Sequence, residues 1–176
     1  MEILLHICCA PCATYTVKKL RDDGVNPTGY FYNPTIHPFT EYRRRFETLK
    51  QYSEAVELDV VYKDEYMLEE FIGPALEVKD RCNLCYTIRL RETARYASDM
   101  GIDFFTTTLL ISPYQKHEMI CDIARGFASE FGVEFYYQDF RVGYKQTFQI
   151  CRDLGLYRQP YCGCIFSEKE RFCSKI

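Results

Sequence analysis

The chain has no tryptophan, only three histidines, and no apolar stretch of the roughly 18 residues that a bilayer span needs. The last absence excludes a helical membrane protein. Neither GxGxxG nor GxxxxGK[ST] occurs, so nothing supports a dinucleotide site or a P-loop. Nine glycines and seven prolines in 176 residues, without a fixed-period repeat, exclude collagenous and low-complexity chains. Cations are not in excess: 22 Lys+Arg against 25 Asp+Glu leave a formal charge of −3, which argues against a generic nucleic-acid-binding surface. Met1 is followed directly by Glu2 and a strand-like run, with no positively charged n-region or apolar h-region. A cytoplasmic location with reduced thiols is therefore expected.

What is present is a large apolar fraction, 47%, with 15 tyrosines and 13 phenylalanines, and ten cysteines. This length and composition fit one α/β domain spanning residues 1–176, with a sizeable buried core. Clustered cysteines in a reducing compartment point to metal binding or redox chemistry.

Short apolar runs alternate with segments of helical period. Strands are expected at Glu2–His6, Thr28–Tyr32, Leu58–Tyr62, Phe104–Leu110 and Val133–Tyr137. Between them lie helical patterns: Ala13–Asp23, a long helix N-capped by Thr40 and reaching Val56, and Leu84–Met100. A short acidic helix at Glu65–Phe71 is expected to break at Gly73–Pro74, a further helix covers Gln115–Phe131, and the tail carries one near Tyr144–Leu154. Strands separated by helices predict a doubly wound, mostly parallel, Rossmann-like sheet of about five strands with helices on both faces. Ligands of such sheets bind beyond the carboxyl ends of the strands. The informative segments therefore follow the strands: Cys8–Cys12, Asn33–Phe39, Ile111–Lys116 and Asp139–Gly143.

Seven cysteines fall in three clusters: Cys8, Cys9 and Cys12; Cys82 and Cys85; Cys162 and Cys164. Cys121 and Cys151 read as buried structural thiols, and Cys173 lies in an uninformative tail. The CxxC pair at 82 and 85 opens a helix, where N–H groups and the dipole favour thiolate. Adjacent side chains on an extended strand diverge, so Cys8 and Cys9 converge only where the chain turns, and Pro11 supplies that turn. Thiolates from Cys8, Cys9, Cys82 and Cys85 match either a zinc site or a [4Fe–4S] cluster. A chain that can build its own core has little need of structural zinc, and the vicinal pair lies where an active site belongs, so iron–sulfur is preferred. Cys162-Gly163-Cys164 suits a strained, reversible disulfide in a tight loop, or further metal ligands. Cys12 is either a ligand of a second metal, such as an additional iron, or an unliganded neighbour.

Around the same rim, Tyr32, His37, His117 and Asp139 are candidate substrate contacts or proton donors, whereas His6 reads as a satisfied core residue. Arg43 and Arg44 on the first long helix, and Arg91 and Arg95 on the helix opened by the CxxC, are either solvated faces or phosphate contacts.

The stretches HICCAPCAT (6–14), GYFYNPTIHPFTEYRRR (29–45), RCNLCYTIRLRETARYA (81–97), FFTTTLLISPYQKHEMI (104–120) and GLYRQPYCGCIFS (155–167) together resemble the cobalamin-independent epoxyqueuosine reductases of the QueH family. The resemblance spans nearly the whole chain. It implies reduction of the epoxide of epoxyqueuosine in a tRNA anticodon loop, the last step of queuosine biosynthesis. It further implies Cys8, Cys9, Cys82 and Cys85 as [4Fe–4S] ligands, and Cys162 and Cys164, carried by a C-terminal segment 144–176, as the redox-active disulfide. Arg43, Arg44, Arg91 and Arg95 then become candidate tRNA contacts, and an electron donor of unknown identity is required. The fold it implies is similar to that of the ATP-pyrophosphatase group, with cysteines where those proteins carry a phosphate loop. The competing readings are a zinc-stabilised nucleic-acid-binding domain without catalysis and a metal-free thiol–disulfide oxidoreductase.

Overall fold

The computed structural model describes residues 1–173; positions 174–176 of the expected domain lie outside the described residues. Five parallel strands run β1 (Glu2–His6), β2 (Asn26–Phe31), β3 (Val60–Tyr62), β4 (Phe104–Thr107) and β5 (Glu134–Phe135), in the order β3-β2-β1-β4-β5. β1 is central and, apart from Glu2, buried, as its unbroken apolar run requires. Leu5 pairs with Gly29 of β2 on one side and with Thr106 of β4 on the other.

Among the described residues seven helices connect and flank these strands: α1 (Ala10–Asp22), α2 (Phe39–Ala55), α3 (Glu69–Glu77), α4 (Arg81–Asp99), α5 (His117–Phe131), α6 (Tyr144–Asp153) and α7 (Ile165–Phe172). The chain winds outward from β1 to β3 and returns to β4 on the far side of β1. Right-handed crossovers then place α1 and α2 on one face and α4 and α5 on the other. α6 docks on α1, where a Cβ on Gly143 would lie 2.2 Å from the Tyr15 ring, a gap only glycine leaves open. The winding reverses between β1 and β4, and the crevice above their carboxyl ends is the switch point at which such sheets bind ligands. Among the described residues, no helix is long and apolar enough to cross a membrane.

Three local expectations are corrected, and one element is added. Thr40 does not cap the long helix, because Pro38, joined to His37 by a cis peptide bond, stands at the N-cap and Thr40 lies inside α2. Gly73–Pro74 does not end a helix. Both sit within α3, which tolerates the missing N–H because Phe71 and Ala75, four residues apart, are buried. The run FFTTTLL does not continue as a strand: Thr107 Oγ1 accepts from the Leu109 N–H at 3.1 Å and turns Thr108–Ile111 into a 3-10 turn. α7, just after the CxC, is absent from the sequence reading.

Candidate active site

α1 begins as soon as β1 ends. Cys9, extended at φ −171°, is its N-cap and Pro11 occupies its first turn, so the chain bends where the vicinal cysteines stand. The Sγ atoms of Cys8, Cys9 and Cys12 consequently lie within 4.8 Å of one another. Cys8 donates to Cys9 at 3.7 Å and is fixed from β4's side by Thr108, whose hydroxyl accepts from the Cys8 N–H at 3.0 Å. Gln159 donates to Cys9 Sγ at 2.9 Å.

Burial opposes a charge on Cys9, but the thiols of Cys12 and Cys8 and the Arg45 charge overcome it and hold Cys9 well below the usual thiol range. Cys12 is raised well above that range by the Cys8 and Cys9 thiols and by burial. For Cys8 the Cys12 thiol favours ionisation, yet the Cys9 thiol and burial prevail and push it up to about 11. Three crowded thiols oppose one another's ionisation, and a bound cation is what would let them ionise together.

α4 brings the CxxC. Its N-cap Asp80 accepts from the Cys82 N–H at 3.0 Å, and Lys116 Nζ pairs with Asp80 at 2.6 Å. Burial pushes the Cys82 thiol up to about 11 and raises Cys85 as well. One turn beyond Cys85 lies Arg89, 2% exposed, donating through Nε and Nη2 to Thr35 Oγ1 at 3.2 and 2.8 Å. The Thr35 hydroxyl hydrogen is then free for Cys85 Sγ, 3.2 Å away. Among the described residues no carboxylate pairs with Arg89. Burial opposes its charge, and Cys85, Cys162, Cys8 and Cys164, cysteines of three segments, favour it. Isolated buried charges are too costly to persist unpaired.

The CxC is held by a second buried arginine. Arg45, also 2% exposed, donates to the carbonyls of Cys162 at 2.7 Å and Tyr161 at 3.0 Å, while Glu41 accepts from its Nε at 2.7 Å. Tyr157 donates to the other Glu41 oxygen at 2.8 Å. The His37 N–H donates to Gly163 O at 2.8 Å, and the Tyr161 hydroxyl donates to His37 O at 2.5 Å. Gln115, oriented by a 2.6 Å bond from the Tyr86 hydroxyl, donates to Cys162 Sγ at 3.1 Å. Cys162 is exposed and Cys164 half-buried.

The remaining candidates divide. His37 contributes backbone to the CxC loop, but its ring turns away into Phe71 and Tyr66 and donates from Nε2 to Met67 O at 3.0 Å. Tyr32 is buried beneath Lys63 with its hydroxyl toward Met67. His117 contacts the Tyr137 hydroxyl at 3.2 Å. Asp139 caps the turn Phe140–Gly143 and pairs with Arg141 at 2.6 Å, which holds its carboxyl down at about 2. Arg43 pairs with Glu47 and Asp64, Arg91 with Glu130, and Arg95 with Glu92 and Asp99, whereas Arg44 lies over the Tyr157 ring at 3.6 Å. His6 is the satisfied core residue expected, bonded to Thr107 at 2.8 Å and to the Tyr32 carbonyl at 3.2 Å. Cys121 and Cys151 are buried. Sequence reasoning missed Arg45 and Arg89. The signal for each was its helical spacing: Arg45 four residues after Glu41 and one before Phe46, Arg89 four after Cys85.

A family model described as epoxyqueuosine reductase QueH matches residues 3–170. The chain belongs to the QueH family. It is 41% identical over 172 residues to epoxyqueuosine reductase QueH of Dehalococcoides mccartyi, an alignment covering 97% of this chain and 94% of that one. It is 37% identical over 180 residues to the QueH of Thermotoga maritima, covering 96% and 91%. As a QueH member it is an epoxyqueuosine reductase, an oxidoreductase. Among solved structures, a predicted subunit of tRNA methyltransferase from Methanocaldococcus jannaschii superposes with a TM-score of 0.58 at 10% identity, over 86% of this chain and 74% of that one. That likeness concerns the fold alone, a doubly wound parallel sheet as expected from the sequence.

Proposed function

We propose that this QueH member deoxygenates the epoxide of epoxyqueuosine carried by tRNA in the crevice above β1 and β4. In this reading Cys8, Cys9, Cys82 and Cys85 hold a [4Fe–4S] cluster and Cys162 and Cys164 form the redox pair. The observation that carries it is Arg89: no carboxylate among the described residues pairs with this buried cation, which reaches Cys85 through Thr35 and lies 3.8 Å from where a Cβ on Gly163 of the CxC loop would stand. The donor set fits a metal cluster, since soft thiolates are its natural ligands: a cationic iron core would let the crowded cysteines ionise together, and the net negative charge of the thiolate-ligated cluster would offset Arg89. When bound, the cluster supplies electron transfer and a Lewis-acidic iron. Cys12, within 4.8 Å of Cys8 and Cys9, is the residue available to a further iron.

The chain's own residues account for electrons and protons. Conversion of the epoxide to an alkene breaks two C–O bonds, takes up two electrons and two protons, and releases water. Closure of the Cys162–Cys164 dithiol to a disulfide releases two electrons and two protons, which balances the reaction. An external two-electron donor then returns the disulfide to the dithiol. Gln115 and Arg45 hold the loop in place while the thiol of Cys162 remains accessible. A cytoplasmic location fits this chemistry, because reduced thiols and tRNA meet there.

The test is incubation of anaerobically prepared protein with epoxyqueuosine-containing tRNA and a strong reductant, read by nucleoside mass spectrometry. Queuosine should appear with the natural chain and not with Cys162→Ser or Cys164→Ser. Unchanged conversion by both variants would remove the dithiol from the mechanism.

A further inference from the structure

The same rim carries an aromatic surface that the chemistry above does not use. Tyr114, in the loop before α5, is 83% exposed, and its neighbour Gln115 is the residue that reaches Cys162. The Tyr114 ring meets Tyr144 edge-on at 5.9 Å, Tyr144 meets Phe148 at 5.3 Å, and the Arg158 guanidinium lies over Phe148 at 3.5 Å. These four groups form one continuous ladder. Its inner rung, Tyr144, opens α6, which packs on α1, the helix that starts at the Cys8–Cys12 cluster. Val142, 76% exposed, adds apolar surface two residues before Tyr144.

This face also carries cations. Arg158, Lys145 and Arg44 have no carboxylate partner among the described residues, whereas Arg43, Arg91 and Arg95 are each ion-paired. Exposed rings beside unpaired cations match single-stranded RNA, whose unstacked bases stack on aromatic faces and whose phosphates attract free cations. We infer that the Tyr114–Tyr144–Phe148–Arg158 ladder is a stacking platform for unpaired tRNA loop nucleotides beside the modified base, with Arg158, Lys145 and Arg44 opposing their phosphates. The inference rests on the tRNA reading given above.

The test measures fluorescence anisotropy of a labelled anticodon stem-loop carrying epoxyqueuosine, titrated with the anaerobically prepared holoenzyme. Tyr114→Ala should weaken binding about tenfold while Tyr114→Phe binds as the natural chain does. Arg158→Ala should lower the slope of log Kd against log salt by about one. Because Tyr114 is so exposed, its alanine variant should keep the natural melting temperature and iron content. Natural affinity in Tyr114→Ala together with a natural salt slope in Arg158→Ala would overturn the platform while leaving the reductase reading intact. Failure of the natural chain to bind the stem-loop would overturn both. If Tyr114→Ala binds RNA normally but accepts electrons slowly from a protein donor and not from dithionite, the face belongs to that donor and the inference falls.

Discussion

Arg45 Nη1 donates to the carbonyl oxygen of Cys162 at 2.7 Å although the two residues stand 117 positions apart in the chain. A helix of the first half of the protein thus anchors the CxC of the second. Since Glu41 and two backbone carbonyls share this guanidinium, its flat fork of donors is used in three directions, which a lysine ammonium cannot reproduce.

Arg45→Met should therefore destabilise the fold by about 3–5 kcal/mol, because it leaves the Glu41 carboxylate buried and unpaired. Adding Glu41→Gln should recover part of that loss in urea denaturation. Epoxide reduction should stay low in the double variant, since the loop carbonyls remain unheld.

Gly163 lies between the two cysteines, where a Cβ would stand 3.3 Å from both Arg45 Nη1 and Ile36 Cγ1. Neither neighbour can withdraw: Arg45 is pinned by its hydrogen bonds and Ile36 is fully buried. Gly163→Ala should cost about 1–3 kcal/mol by overpacking and move the CxC loop. Faster alkylation of Cys164 than in the natural chain, followed by mass spectrometry, would register that movement.

The alternation of apolar runs with helical periods made the doubly wound sheet legible, and the ends of its strands directed attention to the cysteines. The residues that organise those cysteines were not legible in the same way. Arg45 and Arg89 are charged residues on helices, and residue type alone assigns them to solvent; only tertiary packing buries them. Thr108 read as strand because β-branched residues favour it, but the Thr107 hydroxyl bonds the turn that follows β4 and the Thr108 hydroxyl takes up the Cys8 backbone. Pro74 read as a helix breaker because the burial of Phe71 and Ala75 is a tertiary fact.

His37 bears on acid stability. Burial lowers its pKa from 6.5, the Arg89 charge acts in the same direction, and the Met67 carbonyl only partly opposes them. The folded chain therefore refuses a proton that the unfolded chain accepts, so stability present above about pH 6.5 is lost as pH falls below it. The drop in melting temperature between about pH 7.5 and about pH 5.5 should be smaller in His37→Gln than in the natural chain. An equal drop would show that the ring does not titrate with folding.

Thr35 links Arg89 to Cys85 through a single hydroxyl. Thr35→Val keeps the shape and removes that link, at a cost of about 1.5–3 kcal/mol for a hydrogen bond to a buried charged group. Thr35→Ser should restore most of it in thermal denaturation, because the hydroxyl is retained.

The central claim is that Cys8 and Cys9 from β1's end and Cys82 and Cys85 from α4 hold an iron–sulfur cluster beside the buried Arg89. Iron and acid-labile sulfide analysis of anaerobically reconstituted protein tests it most directly. About four irons and four sulfides per chain are expected, retained by Cys162→Ser and lost by Cys82→Ser and by Arg89→Met. A colourless protein that holds zinc and no iron after reconstitution would contradict it.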